Sequence, residues 1–414
     1  MRHSPINVTG PCTVVGIRVI NLALIAITLL LGGLGPDTAF AQRSKIPSNS
    51  FLRRYGLERA WLGRATIDAR QDIVKVLSGD EEVMFCSTRA GVLSAFDAES
   101  GRKLWTQLSP RVQQFLSDVV TDKGRAFTIV GEKIYAINKL SGAIEWELRV
   151  PFVPVSHPVF DETQMYVATL DGSVYAFNIE KVEKYSKEGL LPQYIEDTIV
   201  WRYNTGIRIV SPPAVSEGHV VFGTANGNVF GVSASDRSEL FQFEVDTKFS
   251  APLIAKNGIV YLPTAEATMY AVRMRNGTSA WEFIAGTQIS QPVLPIGDSV
   301  FLIAENQGLF RVERKIGDVH WRDRQIEQFL AVSNTRAYGG AERGKIVVDD
   351  RETGRRIGSF TLADFKVRMT NPRTDRLYMA TEAGVVMCVR EIASDFPVYH
   401  EAPDLRPILP EFAQ

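Results

Sequence analysis

Three cysteines and five histidines in 414 residues leave this chain poor in the side chains that hold transition metals or act as nucleophiles. Cys12, Cys86 and Cys388 form no Cys-x-x-Cys, haem-attachment or adjacent pair. The histidines beyond residue 41, His157, His219, His320 and His400, share no ligand spacing. Glycine-framed serine, His-Glu-x-x-His, phosphate-loop and dinucleotide signatures are absent from the sequence. Charge of one sign is lacking too: 46 Lys and Arg against 47 Asp and Glu give a formal net charge of −1. No global field therefore draws the chain to nucleic acid or to an anionic membrane. Catalytic, metal and cofactor residues are accordingly expected to be none.

Long apolar runs are lacking as well, with one exception. Arg2 and Arg18 precede LALIAITLLL (Leu22–Leu31), and Ala39-Phe40-Ala41 stands before Gln42. A basic start, a short apolar stretch and a small-x-small site are the marks of a secretory signal peptide over 1–41. The rival, an uncleaved anchor, is disfavoured because the stretch from Val19 to Leu34 contains Asn21 and a glycine pair and falls short of the roughly 20 residues a span needs. Cys12 precedes the run and Gln42 occupies the cleavage position, so no lipid-bearing cysteine is expected. The chain is expected in the periplasm or outside the cell, with no membrane span after cleavage.

What the sequence does have is a period. Trp61, Trp105, Trp146, Trp201, Trp281 and Trp321 are separated by 44, 41, 55, 80 and 40 residues, and Phe241 stands midway in the longest gap. A repeat near forty calls for a repeat architecture. Eight windows agree, among them CSTRAGVLSAF (86–96), VATLDGSVYAF (167–177), FGTANGNVFGV (222–232) and MATEAGVVMCV (379–389). Each is two β-rich runs around a tight turn, with Asp171-Gly172 and Asn226-Gly227 supplying the positive φ angles. One short strand precedes each hairpin, as in SPPAVS (211–216), and a tryptophan-bearing strand follows, as in KLWTQL. Four antiparallel strands per forty residues describe one propeller blade; the density of Val, Phe, Tyr and Thr excludes helical solenoids.

The expected fold is all-β: an eight-bladed β-propeller of four-stranded antiparallel blades over 56–392. Seven outer strands follow hairpins, around Trp105, Trp146, Trp201, Phe241, Trp281, Trp321 and Gly358, and the eighth hairpin lacks one. RAWLGRAT (59–66) is the spare, so the N-terminal strand should close the last blade. Residues 42–55 then read as a linker and 393–414 as a tail. Some fifteen extra residues, 181–197, should form a rim loop, either a tolerated insertion or a partner-contacting arm, since Tyr185, Leu190, Leu191 and Tyr194 are apolar for a free loop.

The motif AFDAESGRKLW (Ala95–Trp105), with AINKLSGAIEW (136–146) and AVRMRNGTSAW (271–281), resembles the tryptophan docking motif of quinoprotein-type propeller repeats. VERKIGDVHW (312–321) and VVDDRETGRRIG (347–358) are degenerate copies, and the resemblance runs from Trp61 to about Arg390. It implies an eight-bladed ring and two functional branches. One holds pyrroloquinoline quinone and calcium in the central channel; the other, the BamB type, is non-catalytic and binds proteins. The vicinal cysteines and inserted ligand segments of the first branch are missing here, and Asp97 reads as a turn cap rather than a calcium ligand. The expectation is therefore an exported, monomeric, non-catalytic scaffold that binds protein partners through rim loops, with 181–197 a candidate among them if it is an arm rather than a tolerated insertion. Glycan binding and a quinone-dependent oxidoreductase remain the alternatives, and no cofactor is expected. Cys86 and Cys388, in windows of neighbouring blades, are expected to be free and buried, on the reading that window positions one and ten pair across the hairpin and hold the thiols a sheet thickness apart.

Overall fold

The computed structural model describes residues 46–108 and 119–401; the expected signal peptide lies outside them. Eight four-stranded antiparallel sheets follow one another along the chain. The first blade, Val74–Gly79, Val83–Thr88, Val92–Asp97 and Lys103–Leu108, sets the pattern: inner strand, hairpin, outer strand. The eighth is assembled from both ends of the chain. Leu57–Arg64 pairs with Val385–Glu391 from Leu57↔Glu391 to Arg64↔Val385, which gives that sheet the outer strand its own segment lacks. The ring is thus closed by the N-terminal strand, as the strand count requires.

Alternation along each strand sends neighbouring side chains to opposite faces of the sheet. In blade one, Met84, Cys86 and Phe96 face blade eight, while Val83, Phe85, Leu93 and Ala95 face blade two. Among the described residues the buried apolar side chains fall into eight clusters, one per seam between blades. Because strands alternate in direction, the turns from inner strand to hairpin and from hairpin to outer strand lie on one face of the ring. The hairpin tips and the connections between blades lie on the other.

The tryptophans lock the seams. Trp61 Nε1 donates to Ala98 O at 2.8 Å, Trp105 to Lys139 O at 2.9 Å, Trp281 to Arg314 O at 2.8 Å and Trp321 to Arg351 O at 2.7 Å. In each case the indole of one outer strand reaches the turn before the next outer strand. Gly101 explains the glycine in the motif. Its φ is +69°, and a Cβ there would sit 2.4 Å from the Trp61 ring. Asp97 Oδ1 accepts from Ser100 N and Ser100 Oγ, both at 2.7 Å, so it caps the turn on which the indole rests.

Three expectations change. The insertion is not a loop: Ile179–Lys187 is a helix capped by Asn178 Oδ1, followed by the short helix Ile195–Thr198. Ile179, Val182 and Leu191 are buried in the seam between blades two and three, with Tyr185 and Ile195 packed beside them. Nor are residues 46–55 a linker. Ser48 caps a helix, Asn49–Arg53, whose Leu52 is fully buried with Phe360 and Met387, and the Tyr55 ring packs at a tilt against Phe360, centroids 4.7 Å apart. A Cβ at Gly358 would lie 3.1 Å from the Tyr55 ring, so Tyr55 fills the place that tryptophan leaves empty in blade seven.

The third change concerns the cysteines. Both are free and buried, but they are not on opposite sides of a sheet. Cys86 pairs with Ser94, and Met379 with Met387, so window position one faces position nine. Position ten, Cys388, then points the other way, and both thiols lie in the single cluster between blades eight and one. Burial, with the Asp72 carboxylate nearby, pushes Cys86 up to about 12, and burial holds Cys388 well above the ordinary thiol range.

Candidate protein-interaction faces

On the hairpin face the connection into blade three crosses its own hairpin: Leu170 N donates to Val153 O at 3.0 Å, and Thr205 N to Gly172 O at 3.0 Å from the next connection. The Leu170–Val153 bond sets Phe152, Val153 and Leu170 together, 45%, 40% and 50% exposed. The hairpin beneath is rigid. Asp171 takes hydrogen bonds from Thr169 Oγ1 and Ser173 Oγ and pairs with Arg202. Partial burial opposes its charge, but these partners prevail and hold the carboxyl below its ordinary range. The result is an apolar patch on a fixed scaffold beside ionised groups, the composition of a protein contact.

Of the residues expected to make a partner-contacting arm, Leu191 is buried and Tyr185 is half-buried; Tyr194, exposed, stacks on Tyr185 at 5.4 Å. The apolar side chains of 181–197 mainly dock their own helices. The patch at 152, 153 and 170 was missed by sequence reading, although Leu170 stood in plain view before Asp171-Gly172, where turn residues are ordinarily polar.

The channel wall at blades eight, one and two borders an open cavity of about 350 Å³ lined by Val76, Ser78, Val120, Thr121, Met369 and Thr370, among others. Calcium requires several converging oxygen ligands, chiefly carboxylates. No carboxylate or histidine lines this cavity, and among the described residues no group of three or more His, Cys, Asp and Glu could hold a metal. These residues do not fit a quinone–calcium centre. The histidines are scattered: His157 and His219 in blades three and four, His320 3.9 Å from Glu313, and His400 on the turn face, where its ring reaches Val332 O at 3.0 Å. Burial drives His400 down to about 4, so it stays neutral and its Nε2–H donates to Val332 O.

One acidic cluster has a structural use. Asp349, fully buried, accepts from Arg356 Nε at 2.6 Å, and Arg356 also pairs with Asp323 across the seam between blades six and seven. Burial and the Asp323 carboxylate push Asp349 up to about 7. Asp350 caps the adjacent turn through Thr353 N, at 2.8 Å. Among the described residues, no helix is long and apolar enough to cross a membrane.

Comparison with known proteins bears on the same ring. The family model described as outer membrane protein assembly factor BamB matches residues 89–323 and 234–395. Outer membrane protein assembly factor BamB of Yersinia pestis is 26% identical over 174 residues, 38% of this chain and 40% of that protein. Its counterpart from Moranella endobia (strain PCIT) is 27% identical over 164 residues, 36% of this chain and 38% of that protein. The alignments thus span about two fifths of these curated relatives. The crystal structure of BamB from Moraxella catarrhalis superposes with a TM-score of 0.59 at 15% identity, covering 81% of this chain and 97% of that one. The computationally designed Ika8 protein superposes at 0.60 with 13% identity, covering 80% and 99%. These two likenesses concern the fold.

Proposed function

The chain belongs to the family described as outer membrane protein assembly factor BamB, and from that membership we propose that it is a non-catalytic, exported scaffold that binds a component of an outer-membrane protein assembly machinery through its hairpin face. The observation that carries the reading is the patch Phe152, Val153 and Leu170, exposed apolar side chains where the connection into blade three is hydrogen-bonded across its rigid hairpin. Its position beside Asp171 and Arg202 gives a partner an apolar centre with a charged rim. The basic start, short apolar run and Ala39-Phe40-Ala41 support export. The poor fit of the channel wall to quinone and calcium supports a binding role over an oxidoreductase.

A photoreactive residue at position 170, expressed in the native host, tests the reading. The expected crosslink is to an outer-membrane assembly component, lost when Val153→Asp and Phe152→Ser are added without a change in melting temperature. Crosslinks that never include such a component, or a quinone chromophore retained after addition of pyrroloquinoline quinone with calcium, would overturn it.

A further inference from the structure

The C-terminal residues do not trail away from the ring. Pro397 is buried, and the next four residues are seated one by one on the turn face. Val398 N donates to Asp375 Oδ1 at 3.1 Å. Tyr399 forms an antiparallel bridge with Thr374, and His400 N donates to Arg373 O at 2.9 Å. His400 Nε2 donates to Val332 O in blade seven. Glu401 joins blades that lie apart in the ring: its Oε1 is 3.0 Å from Lys256 Nζ in blade five, its Oε2 3.1 Å from Arg373 Nη1 in blade eight. Residues 398–401 therefore cross one mouth of the central channel.

The receptor for this segment is built. Asp375 is 3.3 Å from Arg376, which is fully buried and held by Glu99 and by the carbonyls of Ser394 and Asp395. Arg373 Nη1 is also 3.4 Å from Glu81, so the nitrogen that meets Glu401 is shared with a carboxylate of blade one. The groups offered to an incoming chain are a carboxylate for a backbone N–H, a strand edge at Thr374, two carbonyls, and two cations for one carboxylate. Together they fit an extended peptide with an acidic side chain.

We propose that this mouth is a recognition site for an extended acidic peptide segment of a partner protein, occupied in cis by the chain's own residues 398–401. The inference is independent of the hairpin-face reading. The grip is light. Lys256, Arg373 and Glu401 are 32%, 36% and 47% exposed, and a pair so exposed favours the bound tail by a factor of about five at most. The pairing is a single bridge rather than a ladder. What holds the tail is its tether, which presents it at an effective concentration on the order of millimolar. A partner segment that meets the same groups and adds contacts outside them displaces it.

The test uses the protein truncated after Phe396, which keeps Ser394 and Asp395 around Arg376, and a fluorescein-labelled peptide, PVYHEA, of residues 397–402. Fluorescence anisotropy should show saturable binding to the truncated protein, at least tenfold weaker binding to the full chain, and weakening with salt. Lys256→Glu in the truncated protein should weaken binding about tenfold, and the peptide with Glu401→Lys should recover most of that loss. No saturable binding to a truncated protein that melts normally, equal binding to the full chain, or no recovery on charge reversal would each overturn the proposal. Should the truncation fail to fold, the full chain answers. Glu401→Lys should speed amide exchange at Val398 and His400, and Lys256→Glu with Glu401→Lys should slow it again. Unchanged exchange in the single variant, or no recovery in the double, overturns the proposal.

Discussion

The indole N–H of Trp105 donates to Lys139 O, whereas that of Trp146 meets no acceptor. The helix Ile179–Lys187 stands where the other blades have a turn with a free carbonyl, so the seam keeps the ring and loses the bond. Trp105→Phe leaves Lys139 O without its donor; Trp146→Phe removes a donor that had no partner. The first should cost about 1–2 kcal/mol more than the second, read from denaturant midpoints with unchanged slopes. Asp349 supplies a second test at this scale. Its pKa is raised in the fold to about 7, above an unfolded value near 4. Its contribution to stability is thus present below about pH 4 and is lost as pH rises toward 7. Asp323, shifted down despite its burial, contributes in the opposite sense, above its unfolded pKa. Between pH 4 and 7 the Asp349 loss should dominate, at most about 4 kcal/mol, and Asp349→Asn should flatten that slope in a melting series.

At the scale of elements, blade seven is where a sequence reading and the packing part ways. Gly358 replaces tryptophan, which alone marks this blade as the weakest. The short helix Asn49–Arg53 and Tyr55 fill the gap from the other end of the chain. Leu52→Ala should therefore cost about 2–5 kcal/mol, as for a fully buried leucine. Amide exchange along Arg356–Thr361 should match the other outer strands until residues 46–55 are removed, and then become the fastest. Equal exchange with and without 46–55 would deny the helix this role. The elements that could be read in advance were those with a period, because each blade repeats the same strands, turn and indole. The capping helix carries no period, and neither does the strap at 398–401, whose partners come from blades five, seven and eight. The helix in the insertion did leave a signal: Asn178 as cap, then Ile179, Val182 and Tyr185 along one face, obscured by the search for a forty-residue repeat. The apolar patch at 152, 153 and 170 depends on a connection that only the folded blade lays across its hairpin.

The whole molecule has one seam unlike the others, because blade eight is the one made from both chain ends. There the N-terminal strand pairs with Val385–Glu391, Trp61 docks on Ala98, Arg390 pairs with Glu58, and Arg376 reaches Glu99 in blade one. Removing the strand would expose an unpaired edge and strip the indole from the turn of blade one. Cys86 and Cys388 sit inside this seam, both fully buried, and their raised pKa values leave little thiolate in the native ring. They are therefore built-in reporters of ring opening. In the intact chain, a thiol reagent should modify both at the same slow rate, set by opening of that seam or by global unfolding. Deleting 46–64 should raise both rates by at least tenfold under native conditions, whereas Trp281→Phe, at the far side of the ring, should leave them nearly unchanged. Fast labelling of one thiol alone in the intact chain would mean that the seam does not open as a unit. Closure by the N-terminal strand would then be local to one end of blade eight.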